Sequence, residues 1–153
     1  MSYFPPPTTI EGNYSDWKLI LSKEDTIGGV ASMVVNNSGV LLLCSSTSTP
    51  YNRYMLDAES ASPEFVDVGV GVEYPLPDQR VSAGGRYMVE IESGVAVHRL
   101  LIVKDGVMVK AVEPDDSGSD YFEPASVSPN GRYIVSAYRD SGYVYYVRVF
   151  RAV

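Results

Sequence analysis

The stretch that decides the fold is Val127–Val135, which reads VSPNGRYIV. Val81–Val89, VSAGGRYMV, repeats it with six identities in nine positions and no gap. A shorter and weaker copy, VNNSGV, occupies Val35–Val40. The glycines that the copies share are 46 residues apart and are Gly39, Gly85 and Gly131. A fixed period of this size is typical of repeated structural units, so the sequence predicts three copies of one β unit.

Each copy combines the end of one strand, a tight turn and the start of a second strand. Asn, Pro and Gly favour such turns, because Gly tolerates a positive φ and Pro presets its own φ. After the third turn, Tyr133, Val135 and Ala137 recur at the period of two that is typical of a strand. Beyond the shared valines, the predicted strands are Val40–Ser45, Arg53–Asp57, Phe65–Val70, Arg86–Glu92, His98–Val103, Val107–Val112, Arg132–Tyr138 and Val144–Phe150.

The third repeat has no fourth strand before Val153, but an unassigned strand, Trp17–Ser22, precedes the first copy. It stands at the distance from Val35 that the fourth strands keep from the next shared valine. We therefore expect it to complete the unit that the C-terminal repeat begins, which gives twelve strands in three four-stranded antiparallel units. The predicted organisation is an extended N-terminal arm at 1–15 and one domain at 16–153, with repeats at about 31–76, 77–122 and 123–153 plus 16–23.

The VSPNGRYIV stretch resembles the S-P-D-G-R turn, followed by an apolar residue, between the first two strands of WD40-like and TolB-like blades. The resemblance covers about residues 16–153 and implies an all-β, β-propeller-like fold, although the Trp-Asp signature of the third strand is absent. Propellers close with about four to eight blades, so three blades are too few. We expect two copies to form a six-bladed ring as a homodimer. Association with another polypeptide and a monomeric β-sandwich or barrel are the alternatives.

Composition narrows the classes of partner. The chain has 19 acidic and 12 basic residues and a net charge of −7, which disfavours binding to the phosphates of nucleic acid. No apolar stretch approaches the ~18 residues of a membrane span, and the proline-rich N-terminus does not read as a secretory signal. We expect a soluble, intracellular protein, cytoplasmic by default. Cys44 is the only cysteine, and its apolar neighbours indicate a small buried side chain.

The residues that could carry chemistry form no recognisable catalytic set. His98 is the only histidine, and the sequence shows no nucleophile–base pair, phosphate-binding loop or Cys/His cluster. We therefore expect no catalytic residues and no cofactor. In the acidic segment after Glu113, Asp116 and Asp120 are weak candidates for the oxygen ligands of a hard cation such as Ca²⁺. A solvated loop is the alternative for that segment.

The chain has twelve tyrosines, and several of them lie close to arginines in the last repeat. Tyr and Arg are common anchors of protein interfaces, but Tyr also suits the half-buried face of a strand. The residues proposed for an interface, with packing between sheets as the alternative, are Trp17, Tyr138, Tyr143, Tyr145, Tyr146 and Arg148.

Three functional hypotheses follow. The first is a non-catalytic protein–protein interaction module or assembly scaffold, with a second copy or another protein as its partner. The second is a propeller that binds a carbohydrate or small ligand, for which Tyr87 and Tyr133 supply aromatic rings in two of the three repeats. The third is a hydrolase that uses carboxylates such as Asp57, Glu90 and Asp105. The absence of a catalytic pattern favours the first.

Overall fold

The computed structural model describes residues 10–45, 51–72, 77–92, 98–116 and 120–153. Within these ranges the protein consists of strands and turns, with eleven strands in three antiparallel sheets. The sheets have four, four and three strands, and the described residues contain no helix. The all-β prediction is therefore confirmed.

The first two repeats each supply one sheet. The first sheet contains β2 (Val30–Val35), β3 (Val40–Ser45), β4 (Tyr51–Asp57) and β5 (Val66–Val72), in that spatial order. The second sheet contains β6 (Tyr87–Ile91), β7 (Leu100–Lys104) and β8 (Val107–Val112), also in sequence order. Successive strands pair in both sheets, and β7 and β8 are joined by the tight turn Asp105-Gly106.

The third sheet joins the two ends of the chain. It contains β1 (Trp17–Glu24), β9 (Tyr121–Val127), β10 (Tyr133–Arg139) and β11 (Tyr145–Ala152) in the spatial order β1-β11-β10-β9. β1 pairs antiparallel with β11 from Trp17 opposite Ala152 to Glu24 opposite Tyr146. The N-terminal strand thus completes the sheet of the last repeat, as the sequence predicts, and it does so within one chain.

The three copies of the repeat share a glycine-centred turn, and the first turn is one residue shorter than the other two. The amides of Gly39, Gly85 and Gly131 donate to the carbonyl oxygen three residues earlier at 3.2, 3.0 and 2.9 Å. All three glycines have a positive φ, of 84°, 81° and 80°. In the second and third copies, a serine Oγ accepts the amide of the tyrosine that begins the next strand, at 2.9 Å for Ser82 and 3.0 Å for Ser128. The 46-residue period in the sequence is therefore also a period in backbone hydrogen bonding.

The third sheet lies between the other two. On one side, Ile134 and Tyr138 of β10 belong to an apolar cluster with Tyr87 and Val89 of the second sheet. On the other side, Tyr133 and Val135 belong to a cluster that the first sheet shares; its members from that sheet are Met33, Val35, Leu41, Leu43, Leu56 and Ala58. Alternation along β10 thus buries both faces of the third sheet.

The three sheets are open and do not join into a ring. Val127 and its partner Ile134 lie on the face of the third sheet that meets the second sheet. In the first sheet, the corresponding Val35 and its partner Leu41 lie on the face that meets the third sheet. The contacts between the sheets are therefore head to tail. A closed ring requires each unit to meet the next head to tail. Among the described residues, the first and second sheets each contact the third sheet and have no extensive strand-to-strand contact with each other, so the arrangement stays open.

The second sheet has three strands, so the prediction of twelve strands was wrong by one in the described residues. The expected inner strand is reduced to a single bridge between Val81 and Met88. Just before it, the backbone of Gln79 bonds to the third sheet: its carbonyl accepts the Val127 amide at 2.8 Å, and its amide donates to Ser126 Oγ at 2.9 Å. These bonds hold Gln79 against β9 and leave too few residues to form a strand along β6.

The predicted arm at 1–15 is described from residue 10 onward. Residues 10–16 form no strand and lie against the second sheet. Tyr87 Oη donates to the Gly12 carbonyl at 2.6 Å and accepts the Tyr14 amide at 2.7 Å. Ser82 Oγ donates to Glu11 Oε1 at 2.9 Å. The Gly12 amide also donates to the Asn130 carbonyl at 3.1 Å, so hydrogen bonds fix the described part of the arm to the second and third repeats.

Candidate functional site

The outer face of the first sheet is the face turned away from the third sheet. Strand register places Val34 opposite Leu42, Leu42 opposite Met55 and Met55 opposite Val66. Directly paired residues project to the same face of a sheet. One apolar row therefore crosses all four strands of the first sheet.

This row exists because β3 is apolar at consecutive positions. Leu41 and Leu43 point inward and are fully buried, while Val40 and Leu42 point outward and are partly exposed. The outer face is most open toward β5, where Met55, Val66 and Val68 are 42%, 55% and 47% exposed. A run without polar alternation is typical of a strand covered on both faces. Here the described residues of the chain cover one face fully and the other only in part.

Two adjoining depressions mark the outer face, and both include Val40 and Met55. One has a volume of about 390 Å³ and is lined by Val40, Met55, Asp57, Ser60, Ser62, Glu64 and Val66. The other, of about 360 Å³, runs along Val34, Leu42 and Met55 and reaches Gln79 and Pro129. We call the first one the Asp57 depression. Together they form a continuous groove across the sheet.

The charges around this groove are unevenly placed. Asp57 and Glu64 lie at the Asp57 depression, and neither has an ion-pair partner among the residues that the structure describes. Arg53 projects to the same face two residues before Met55, but it lines neither depression. Near the other end, burial raises the pKa of Asp78, whose carboxylate accepts the Met33 amide at 3.3 Å. The groove is thus apolar along its floor and acidic at the Asp57 end.

The carboxylates considered for hydrolysis are on two different sheets. Asp57 ends β4 in the first sheet, whereas Glu90 belongs to β6 and Asp105 to the turn after β7. Asp105 pairs with Arg86 at 3.2 Å. The structure does not bring these three groups together, and the described residues contain no set of three His, Cys, Asp or Glu that could hold a metal ion.

Two of the proposed interface residues lie in the core. Trp17 is 1% exposed, and its Nε1 donates to the Gly131 carbonyl at 3.0 Å. Its ring meets Tyr87 edge to face at 5.7 Å between centroids. Tyr138 is also buried, with Phe122 at 4.8 Å. These rings serve packing between the second and third sheets.

Tyr138 is the centre of a polar cluster that includes both weak metal candidates. Its hydroxyl donates to buried Asp120 and accepts the Asp115 amide at 2.7 Å. Burial and then the bond to Asp120 raise the pKa of Tyr138. Asp120 also accepts the amide of Asp116 at 3.3 Å. The two aspartates are therefore joined to each other and to Tyr138, and binding of a cation by them stays a prediction.

Arg148 closes this cluster from the solvent side. Its guanidinium carbon is 3.6 Å from the centre of the Tyr138 ring, and Nη2 donates to Asp115 Oδ2 at 2.8 Å. Nε donates to Ser22 Oγ of β1 at 3.2 Å. Arg148 thus links three segments of this chain.

The other three tyrosines proposed for an interface lie near the start of β11. Tyr143 is 72% exposed, and the Arg139 guanidinium lies 4.6 Å from its ring centre. Tyr145 is 42% exposed. Tyr146 is half-buried and donates to Asp140 at 3.4 Å. A binding role for the six predicted residues stays a prediction.

A separate and larger cleft lies between the start of the first sheet and the third sheet. It has a volume of about 640 Å³, and its lining residues are Asp25, Gly28, Gly29, Val30, Ala31, Glu123, Pro124, Ala137 and Tyr145. Of the residues proposed from the sequence, this cleft contains Tyr145.

Sequence reasoning missed the outer face of the first sheet. The signal that could have found it is the apolar run Val40–Cys44 together with alternating Val66 and Val68. It also missed Ser60, Ser62 and Glu64, which stand in a segment without strand periodicity. Cys44 is buried, as expected.

No part of the described chain forms a helix with the length and apolar character needed to cross a membrane. No protein-family model matches the chain. No curated protein matches its sequence either.

Proposed function

We propose that this protein is a non-catalytic interaction module that binds another protein through the outer face of the first sheet. The observation that carries the proposal is the row Val34, Leu42, Met55 and Val66, which is apolar across four strands and open to solvent at its β5 end. A contiguous exposed apolar patch with a polar rim marks an interaction site in soluble proteins.

Burial of this face supplies a driving force for association. Complete burial of a fully exposed Val or Met side chain contributes about 1.5–3 kcal/mol. Met55, Val66 and Val68 are each about half exposed, so covering them contributes about 1 kcal/mol apiece. That is a moderate gain, and polar contacts at the Asp57 end must add both affinity and specificity.

The competing partner is a second copy of this chain. Two copies would then form the six-bladed ring that the β-propeller resemblance implies. This alternative is supported by the three repeats in the sequence, since two copies of the chain would supply six. One feature favours a different protein. Asp57 and Glu64 have no ion-pair partner in the described part of the chain, and a basic side chain of another protein would compensate their charges.

A small-ligand site is the second candidate function, and the cleft of about 640 Å³ favours it. Asp25 and Glu123 offer oxygen acceptors for sugar hydroxyls, and the half-exposed ring of Tyr145 offers a stacking surface. Calorimetric titration with a panel of neutral oligosaccharides tests it. Binding that Tyr145→Ala abolishes would support this function, and no heat from any sugar would remove it.

Site-specific photo-crosslinking in the cells that express the protein tests the main proposal. A photoreactive side chain at Val68, on the outer face, should give one dominant cross-linked product. Met55→Glu in the same chain should abolish that product, because it puts a charge at the centre of the apolar row. The mass of the product distinguishes a second copy from another protein.

Val107 provides the matched control. It is 65% exposed at the start of β8, in a different sheet. The same photoreactive group at Val107 should not give the Val68 product, and Met55→Glu should not change what it gives. The same product from both positions, or a Val68 product that survives Met55→Glu, would overturn the proposed function.

A further inference from the structure

We infer that the Asp57 depression receives an arginine side chain of the partner protein. This inference rests on the proposed function and adds the chemistry of the contact. The depression combines an apolar floor, Val40, Met55 and Val66, with two carboxylates, Asp57 and Glu64. An arginine side chain has the same two parts, an apolar stem and a cationic head.

The two carboxylates are available to a cation, whereas their neighbour is occupied. Asp57 Oδ1 accepts the Glu59 amide at 3.0 Å, which leaves Oδ2 for an external donor. Glu59 pairs with Arg151 at 2.7 Å. Neither Asp57 nor Glu64 has a basic partner in the described part of the chain. The depression therefore presents two uncompensated negative charges.

The distribution of charge along the outer face sets the direction of the bound side chain. Arg53 projects from β4 on one side of Met55, and Asp57 projects on the other side. A cationic head is repelled at the Arg53 end and attracted at the Asp57 end. The stem therefore lies over Met55 and Val40 with the guanidinium toward Asp57 and Glu64.

Arginine fits this arrangement better than lysine. Its planar guanidinium offers several donors at fixed angles, and it can bind carboxylates through two parallel hydrogen bonds. It is also more weakly hydrated than an ammonium group, so less free energy is lost when it approaches an apolar floor. The hydroxyls of Ser60 and Ser62 line the same depression. The net charge of −7 adds long-range attraction for a basic partner.

A short peptide can probe the depression before the partner is identified. We would titrate the purified protein, labelled at its methionine methyl groups, with a blocked pentapeptide that has arginine at its centre and valine on both sides. The control peptide carries citrulline, which has the same shape without the charge. A saturable shift of the Met55 methyl signal is expected with the arginine peptide, and binding of the citrulline peptide should be at least about fivefold weaker.

Two protein variants complete the test. Asp57→Asn with Glu64→Gln removes both charges and keeps the shapes, and it should weaken binding of the arginine peptide about tenfold. Asp105→Asn removes a carboxylate from the second sheet and should leave binding unchanged. Unchanged methyl signals from the buried Met33 confirm that each variant is folded.

The outcomes separate this inference from the proposed function. Equal binding of the arginine and citrulline peptides, or no Met55 shift with either, would overturn the arginine site. A Val68 cross-link that Met55→Glu abolishes would still support the interaction module in that case. If Val68 gives no dominant product, or if its product survives Met55→Glu, both the proposed function and the arginine site are wrong.

Discussion

The third sheet and the first sheet are both apolar on two faces, but only the third is covered on both. In β10, Ile134 and Val135 point to opposite faces and are both fully buried. In β3, Leu41 is fully buried while its neighbour Leu42 remains partly exposed on the outer face. The same strand pattern therefore has two structural outcomes within one chain.

This difference shows that an apolar run along a strand indicates two faces to be covered, but it does not identify what covers them. The third sheet obtains both layers from the first and second sheets. The first sheet is at the end of the stack, and the described residues leave its outer face partly open to solvent. The outer face of the first sheet is for this reason the surface on which the proposed function depends.

Four alanine variants test the comparison with the largest expected effects. Ile134→Ala and Leu41→Ala should each lower the free energy of unfolding by about 2–5 kcal/mol, because each leaves a cavity in a closed core. Val135→Ala should lower it by about 2 kcal/mol for the same reason. Leu42→Ala should cost less than about 1 kcal/mol, since its outer face is open. Urea unfolding of each variant measures these values, and a Leu42→Ala cost equal to that of Leu41→Ala would refute the asymmetry.

Two of the repeated turns offer a second comparison. A methyl group at Gly131 would meet the ring of Tyr87, whereas at Gly85 it would meet nothing within 4 Å. Both positions have a positive φ, so alanine costs about 1–2 kcal/mol at either one. Gly131→Ala should cost about 1–3 kcal/mol more because it overpacks the contact with Tyr87. Thermal unfolding checks the order, and equal costs would show that Tyr87 moves aside freely.

The Tyr138 cluster predicts a smaller, pH-dependent effect. The raised pKa of Tyr138 means that the folded state favours the protonated phenol. Its contribution is complete below pH about 10, where the unfolded tyrosine ionises, and is lost as the pH rises further. Tyr138→Phe should therefore cost about 1–3 kcal/mol at pH 8, because Asp120 loses a donor, and the gap to the wild type should narrow above pH 10.

Urea midpoints of the two proteins between pH 8 and pH 11.5 measure this narrowing. The remaining tyrosines are present in both proteins, so the difference between the curves isolates position 138. A gap that stays constant across this range would contradict the assigned role of the hydroxyl.

Much of the fold could be predicted because it depends on local patterns. The shared turn fixes the strand ends around Gly39, Gly85 and Gly131, and the repeat spacing identifies Trp17–Ser22 as the partner of the last strand. The order of the sheets could not be predicted in this way. Whether Leu41 or Leu42 faces the third sheet depends on contacts between distant repeats, which no local period encodes.

The candidate site was less accessible to sequence reasoning for a related reason. The sequence predicts Tyr138 and Trp17 at an interface because aromatic residues are common at interfaces. Aromatic residues are also common in cores, and the structure buries these two. Met55, Asp57 and Glu64 come together through the pairing of β4 with β5 and the segment between them. Neither residue type nor spacing distinguishes them in the linear chain.

Oxidative footprinting of the methionines tests the central claim most directly. Met33 and Met55 lie on opposite faces of the first sheet, at 0% and 42% exposure, and Met108 of the second sheet is 53% exposed. In the purified protein, Met55 and Met108 should oxidise quickly and Met33 slowly. Inside the expressing cells, the account predicts that Met55 becomes protected while Met108 does not. Equal oxidation of Met55 and Met108 in both settings, or protection of Met55 already in the dilute purified chain, would contradict the claim that a partner protein covers this face.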